Sequence, residues 1–151
     1  MIELIDYSDQ FAADFRKINL EWLDKYHLTE DPDLRILNDP KGTILDGGGV
    51  IYLARENGNI IGSAALIREH DHVYELAKMT VVPEWRGKGV SKLLMEKCLA
   101  KARELNAKKI FLFSNSQLKA ALSLYAKYGF KHIEIIDSPL KTADVKMELV
   151  M

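Results

Sequence analysis

The sequence predicts a single mixed α/β domain, a sheet with helices on both faces. Three observations carry this. Three apolar strand-like runs lie in succession between residues 50 and 82, and turn signals separate them. A strand–helix–strand crossover then spans residues 72–113. Amphipathic helical segments stand before the hairpins and after the crossover. Antiparallel hairpins followed by a crossover and further strands give a mixed sheet covered on both sides.

Residues 2–6 alternate around Ile2 and Leu4 and form the first strand. Asp6 or Ser8 caps a helix over residues 9–26, where Phe11, Phe15, Ile18, Trp22 and Leu23 recur at helical spacing. Asp31-Pro32-Asp33 starts a shorter helix with Leu34 and Leu37, and Asp39-Pro40-Lys41-Gly42 ends it. Gly47-Gly48-Gly49 has the glycines of a phosphate loop, but no lysine or helix start follows, so it reads as a flexible connection. Val50 to Arg55 and Ile60 to Arg68 form a hairpin around Asn57-Gly58, the tightest turn chemistry available. Glu69-His70-Asp71 turns the chain into a third strand, His72 to Val82. A helix over 88–105 carries Val90, Leu94, Cys98, Ala102 and Leu105 on one face and ends at Asn106, a residue tolerant of positive φ. A strand at 109–113, a helix at 117–128 ending at Gly129, and strands at 130–136 and 142–150 complete the chain.

The densest chemical signal is Val81-Val82-Pro83-Glu84-Trp85-Arg86-Gly87-Lys88-Gly89-Val90-Ser91. A buried strand runs into a basic, glycine-rich loop that opens directly into an apolar-periodic helix. Glycines allow a tight turn and close approach of a ligand to the backbone. The first N–H groups of a helix lack internal partners, and its dipole is positive at that end. Such a site seats a phosphate or pyrophosphate. Neither G-x-x-x-x-G-K-[ST] nor a full G-x-G-x-x-G with a distant acidic residue is present.

Arg86-Gly87-Lys88-Gly89-Val90-Ser91 resembles the acetyl-CoA motif of the GNAT family of N-acetyltransferases, with Ser91 where the family has Gly or Ala. Ala121-Leu122-Ser123-Leu124-Tyr125-Ala126-Lys127-Tyr128-Gly129-Phe130 resembles the A-x-x-L-Y-x-x-x-G-F signature of the same family. The resemblance is good over residues 50–130. It implies a mostly antiparallel central sheet in which the strands at 72–82 and 109–113 splay apart to admit the pantetheine arm of acetyl-CoA. It also implies transfer of an acetyl group to a primary amine by direct attack in a ternary complex. A non-catalytic acyl-CoA sensor or interaction module on the same fold is the alternative.

Acetyl transfer from a thioester to an amine needs a base for the amine, a donor for the oxyanion, a proton for the departing thiolate and fixed attack geometry. Glu75 matches the position of a family base, and a carboxylate within an apolar strand has its pKa raised toward a useful value. An edge residue paired with Lys78 or a neighbouring arginine explains Glu75 equally well. By resemblance Tyr125 is the general acid at the coenzyme sulfur; the other reading is a ring packed on the sheet with its hydroxyl in solvent. Tyr128 is structural. The resemblance assigns the coenzyme to Met79, Thr80, Val81, Arg86, Gly87, Lys88, Gly89, Val90, Ser91 and Tyr125, and backbone N–H groups freed by a bulge at residues 79–81 supply the oxyanion donor. Leu118 stands where the family often has a coenzyme-binding asparagine. Asn115, one turn earlier, either replaces it or, with Ser116, caps the helix at 117–128.

His70 and His72 lack a third ligand at a recognisable spacing, so no metal is expected. Cys98, the single cysteine, lies on a helix's apolar face and reads as core. A net charge of −1 gives no pull toward nucleic acid or anionic membrane, and no apolar run approaches the ~20 residues of a membrane span. The start Met1-Ile2-Glu3-Leu4 lacks signal-peptide character, so a cytoplasmic protein is expected. By resemblance residues 20–40 and 136–143 build the acceptor pocket. Asp24, Glu30, Asp31, Asp33, Asp137 and Asp144 form either an acidic rim for a cationic amine or a set of caps and solvated residues. A small amine, an amino acid and a peptide amine all stay open as acceptors, and a homodimer is allowed.

Overall fold

Alternation along the strands divides the core in two. A computed structural model describes all 151 residues. Seven strands form one sheet in the order β1-β2-β3-β4-β5-β7-β6. They are β1 (Glu3–Asp6), β2 (Val50–Glu56), β3 (Asn59–His70), β4 (Val73–Val81), β5 (Lys109–Ser114), β6 (Lys131–Ile133) and β7 (Val145–Val150). On β2, Ile51 and Leu53 join Phe15, Ile18 and Leu23 of α1 (Ala12–Lys25) and Leu37 of α2 (Asp31–Asn38). The alternate residues Tyr52 and Ala54 face Val90, Leu94, Cys98 and Ala102 of α3 (Val90–Glu104). Leu122, Leu124 and Tyr125 of α4 (Lys119–Lys127) pack on that second cluster. The sheet is therefore covered on both faces, as the pattern predicts.

The parallel pair β4–β5 is joined only at Val73–Glu75 against Lys109–Phe111. Beyond it, β4 stays with β3 as far as Val81, while β5 stays with β7 as far as Ser114. The two strands diverge, and this is the predicted splay. Just there β4 bulges. Ser63 and Ala65 of β3 pair with Thr80 and Ala77, so β4 carries one extra residue. Lys78 takes it up in a left-handed conformation, φ 52°.

Several expected boundaries move, for local reasons. The helix expected at 9–26 opens as a 3-10 turn, Asp9–Phe11, before α1, and Ser8 makes no side-chain cap. Asp39-Pro40 ends α2 as expected, but a separate π-helical turn over Lys41–Leu45 follows and buries Ile44. The β3–β4 turn falls at Asp71-His72, with His72 at φ 64°, not at 69–71. The helix expected from 88 begins at Val90, because Gly89 at φ 85° cannot be helical. The helix expected from 117 begins at Lys119, since Asn115 Oδ1 accepts the Gln117 N–H in a local turn. The strand expected at 130–136 stops at Ile133, opposite Lys146, because β7 begins only at Val145 and offers later residues no partner. Asn57-Gly58 turns as expected, both residues at positive φ. Gly49 is held by packing: a Cβ there would lie 2.3 Å from the Leu66 carbonyl oxygen.

Candidate active site

Two hollows open on opposite sides of the diverging strands. The larger, about 1570 Å³, lies between the loop before α3 and the start of α4. The smaller, about 760 Å³, lies under α1, the start of α2 and the loop before β7. Trp22, Met79, Leu118 and Tyr125 line both, so the two meet at that wall.

The larger hollow has the backbone features and basic side chains that suit an anion. Gly87 and Gly89 line it at φ 74° and 85°. A Cβ at either would meet nothing within 4 Å, so the glycines leave a cradle that a side chain would fill. Positive φ is the conformation that glycine adopts without strain. Val90 and Ser91 begin α3 at the cradle and present its unpartnered N–H end. Arg86 is tethered by its Nε, which donates to the Val81 carbonyl at 3.1 Å. Met79, Thr80 and Val81 form the strand side. Lys88 lies with its Nζ 5.1 Å from the Trp85 ring centre and does not line the hollow. Lys92, Lys119 and Lys127 do line it, as does Gln117, whose Nε2 donates to the Tyr26 carbonyl at 3.3 Å. Sequence motifs passed over these four. The cue is their clustering at the starts and facing sides of α3 and α4, which only the fold brings together.

Glu75 stands in the wall of the smaller hollow, on β4 between Ile67 of β3 and Phe111 of β5. Burial pushes its pKa to about 7; Glu69 and Asp33 push the same way, against Lys78 and Lys146. A carboxyl there exchanges its proton near neutrality, as a general base must. Tyr125, on α4, sets its ring 6.0 Å from that of Phe130. Desolvation raises its phenol to about 12, so it keeps its proton at neutral pH.

Lys78 does not pair with Glu75. Its ammonium meets Asp33 of α2, and both side chains are nearly inaccessible, at 9% and 5% exposed. Asp33 also accepts the Glu30 N–H at 3.0 Å, closing the α2 cap. On the backbone side, Phe15 O, Asn19 Nδ2, Ser63 Oγ and the Lys78 carbonyl form a buried chain of hydrogen bonds at 2.9, 3.1 and 2.6 Å. The bulge is thus gripped through both its carbonyl and its side chain.

The expected acidic rim is largely consumed by structure. Glu30 accepts from the backbone of Lys141 and Thr142 at 2.8 and 2.9 Å and from the Thr142 hydroxyl at 2.6 Å. Asp144 takes both donors of Ser116, and these bonds hold its carboxyl below the usual range. Asp24 accepts from Thr29. Asn115 lines the smaller hollow and donates to the Thr142 carbonyl at 2.7 Å, so it braces that loop away from the anion cradle. Cys98 is fully buried in the core. Tyr128 donates to Glu96 at 2.7 Å and ties α4 to α3. His72 shares a hydrogen bond with the Asn106 carbonyl, and no His, Cys, Asp and Glu group of metal-site size occurs. No helix is long and apolar enough to cross a membrane.

The sequence model of the acetyltransferase (GNAT) family matches residues 12–130. An uncharacterized N-acetyltransferase of Mycobacterium tuberculosis is 39% identical over 95 residues, 63% of this chain and 56% of the relative. The match therefore spans little more than half the length of that relative. The uncharacterized N-acetyltransferase YjgM of Escherichia coli K12 is 30% identical over 82% of this chain and 75% of its own. The crystal structure of a GNAT acetyltransferase from Staphylococcus aureus superposes with a TM-score of 0.90 at 24% identity, covering 98% of each chain. The PaiA N-acetyltransferase of Thermoplasma acidophilum, solved in complex with coenzyme A, gives 0.78 at 19% identity over 100% of this chain and 99% of its own.

Proposed function

This chain belongs to the GNAT acetyltransferase family, and on that premise we propose that it transfers an acetyl group from acetyl-CoA to a primary amine by direct attack in a ternary complex. The observation that carries this reading is the meeting of two hollows at Tyr125 and Met79, one bearing the anion cradle and the other Glu75.

Acetyl-CoA supplies an activated acetyl thioester. Gly87, Gly89, Val90 and Ser91 would hold its diphosphate on backbone N–H groups, with Arg86, Lys92 and Lys119 adding charge around it. Met79 to Val81 would flank the pantetheine where β4 leaves β5. On the other side Glu75 takes the proton of the incoming ammonium, directly or through water, and leaves a neutral nucleophile. Tyr125, still protonated at neutral pH, donates its hydroxyl proton to the sulfur as the C–S bond breaks, and the second proton shed by the acylated nitrogen restores the phenol. The bulge at Lys78 turns backbone N–H groups out of the β3–β4 ladder, where they can donate to developing negative charge.

The test joins binding to turnover. Saturating acetyl-CoA should raise the melting temperature while ATP should not, by mass action on the native state. Thiol release should then require an amine. A shift with acetyl-CoA but no amine-dependent thiol release would favour the non-catalytic sensor.

A further inference from the structure

Resting on that acetyltransfer reading, we infer that the acceptor is a small primary amine with an apolar body, an alkylamine or arylalkylamine that carries no second charge.

Charge in the smaller hollow is nearly all paired. Three charged side chains line it: Asp33, Glu75 and Lys78. Asp33 and Lys78 neutralise each other in a buried pair. Glu75 alone is left to meet the reacting nitrogen. The rest of the wall is chiefly Trp22, Leu23, Leu28, Phe113, Leu118 and Leu140. A second ammonium would lie against this apolar wall with no carboxylate to receive it. A substrate carboxylate would reach Lys78 only by displacing Asp33, which is also committed to the α2 cap. Burying an ion without a partner is heavily disfavoured, whereas an apolar body gains by leaving water.

The mouth supports a small molecule over a peptide. The loop carrying Leu140, Thr142 and Ala143 forms one wall. It is fastened to Glu30 through three hydrogen bonds and to Asn115 through a fourth. The carboxylate oxygens of Glu30 and Asp144 at that rim already accept these and the Ser116 hydrogen bonds, so an arriving chain would have to break them to bond there.

The experiment compares matched amines with the wild-type chain and acetyl-CoA, following thiol release. From propylamine to hexylamine, kcat/KM should rise about fourfold per methylene, the equivalent of about 0.8 kcal/mol each. Against hexylamine, 1,5-diaminopentane and 5-aminopentanoate have nearly the same size but a second charge, and each should be slower by at least about tenfold. Leu140→Asp, at the partly exposed edge of the wall, should shift the preference toward the diamine. Faster turnover of the diamine, of aspartate or of a lysine peptide would overturn the inference and leave the acetyltransfer reading intact. Turnover of no amine, with acetyl-CoA still raising the melting temperature, would overturn both.

Discussion

Asp33 and Lys78 form a buried ion pair beside Glu75, joining the start of α2 to the bulge of β4. The pair has two consequences. It fixes the extra residue of β4 next to Met79 of the shared wall, and it leaves Glu75 as the only charged group lining the smaller hollow without a charged partner.

Breaking that pair from one side should be costly. Asp33→Asn keeps an acceptor for the Glu30 N–H but strands the Lys78 ammonium in a nearly inaccessible place. A loss of about 3 kcal/mol is expected in chemical denaturation. The double variant Asp33→Asn with Lys78→Met should recover a large part of it. Equal losses in the single and double variants would show that the pair does not organise the site.

Glu75 gives a pH signature with a definite sign. Its folded-state pKa of about 7 lies above its ordinary value, because burial favours the neutral form. Folding therefore holds a proton that the unfolded chain has released, and stability falls as pH rises through the interval up to about 7. Glu75→Gln should remove that slope and be more stable than wild type, relative to pH 5, when both are measured at pH 8. The acid limb of kcat/KM should break near 7 in the wild type. In Glu75→Gln, turnover should fall most at neutral pH and recover in part at higher pH, where more amine is already neutral. A defect that does not change with pH would make the carboxylate structural.

Tyr125→Phe removes one hydroxyl and keeps the ring against Phe130. Coenzyme affinity by calorimetry should hardly change. Turnover should drop by roughly 10²–10⁴-fold. Full activity would remove Tyr125 as the proton donor.

Gly89→Val places a branched side chain at φ 85° and into the open cradle. The strain should cost about 1–2 kcal/mol, and acetyl-CoA binding should be lost while circular dichroism keeps its native form. Undiminished affinity would put the diphosphate elsewhere.

Much of this arrangement is legible in the sequence because it is written in local chemistry. Strand periodicity, the Asn57-Gly58 turn and the Arg86–Ser91 loop each act over a few residues, and each element they mark is present. The splay of β4 from β5 was available only through resemblance. The Asp33–Lys78 pair was not legible, because its members lie 45 positions apart and meet only after α2 folds over the sheet. The same holds for Glu30, whose carboxylate meets Thr142 across 112 positions and turns an apparent acidic rim into a loop clamp. Lys119 and Lys127 carry no motif that marks them, and only the placing of α4 beside α3 brings them to the larger hollow. The shortening of the strand after Phe130 depended on where β7 begins, which no local pattern encodes.

On the proposed reading, acetyl-CoA and an amine occupy the two hollows together and react directly at their shared wall. Initial rates of thiol release over a grid of acetyl-CoA and hexylamine concentrations test it most directly. Intersecting double-reciprocal lines, with no release in the amine-free blank, are the predicted result. Parallel lines, or thiol release that does not depend on the amine, would contradict it.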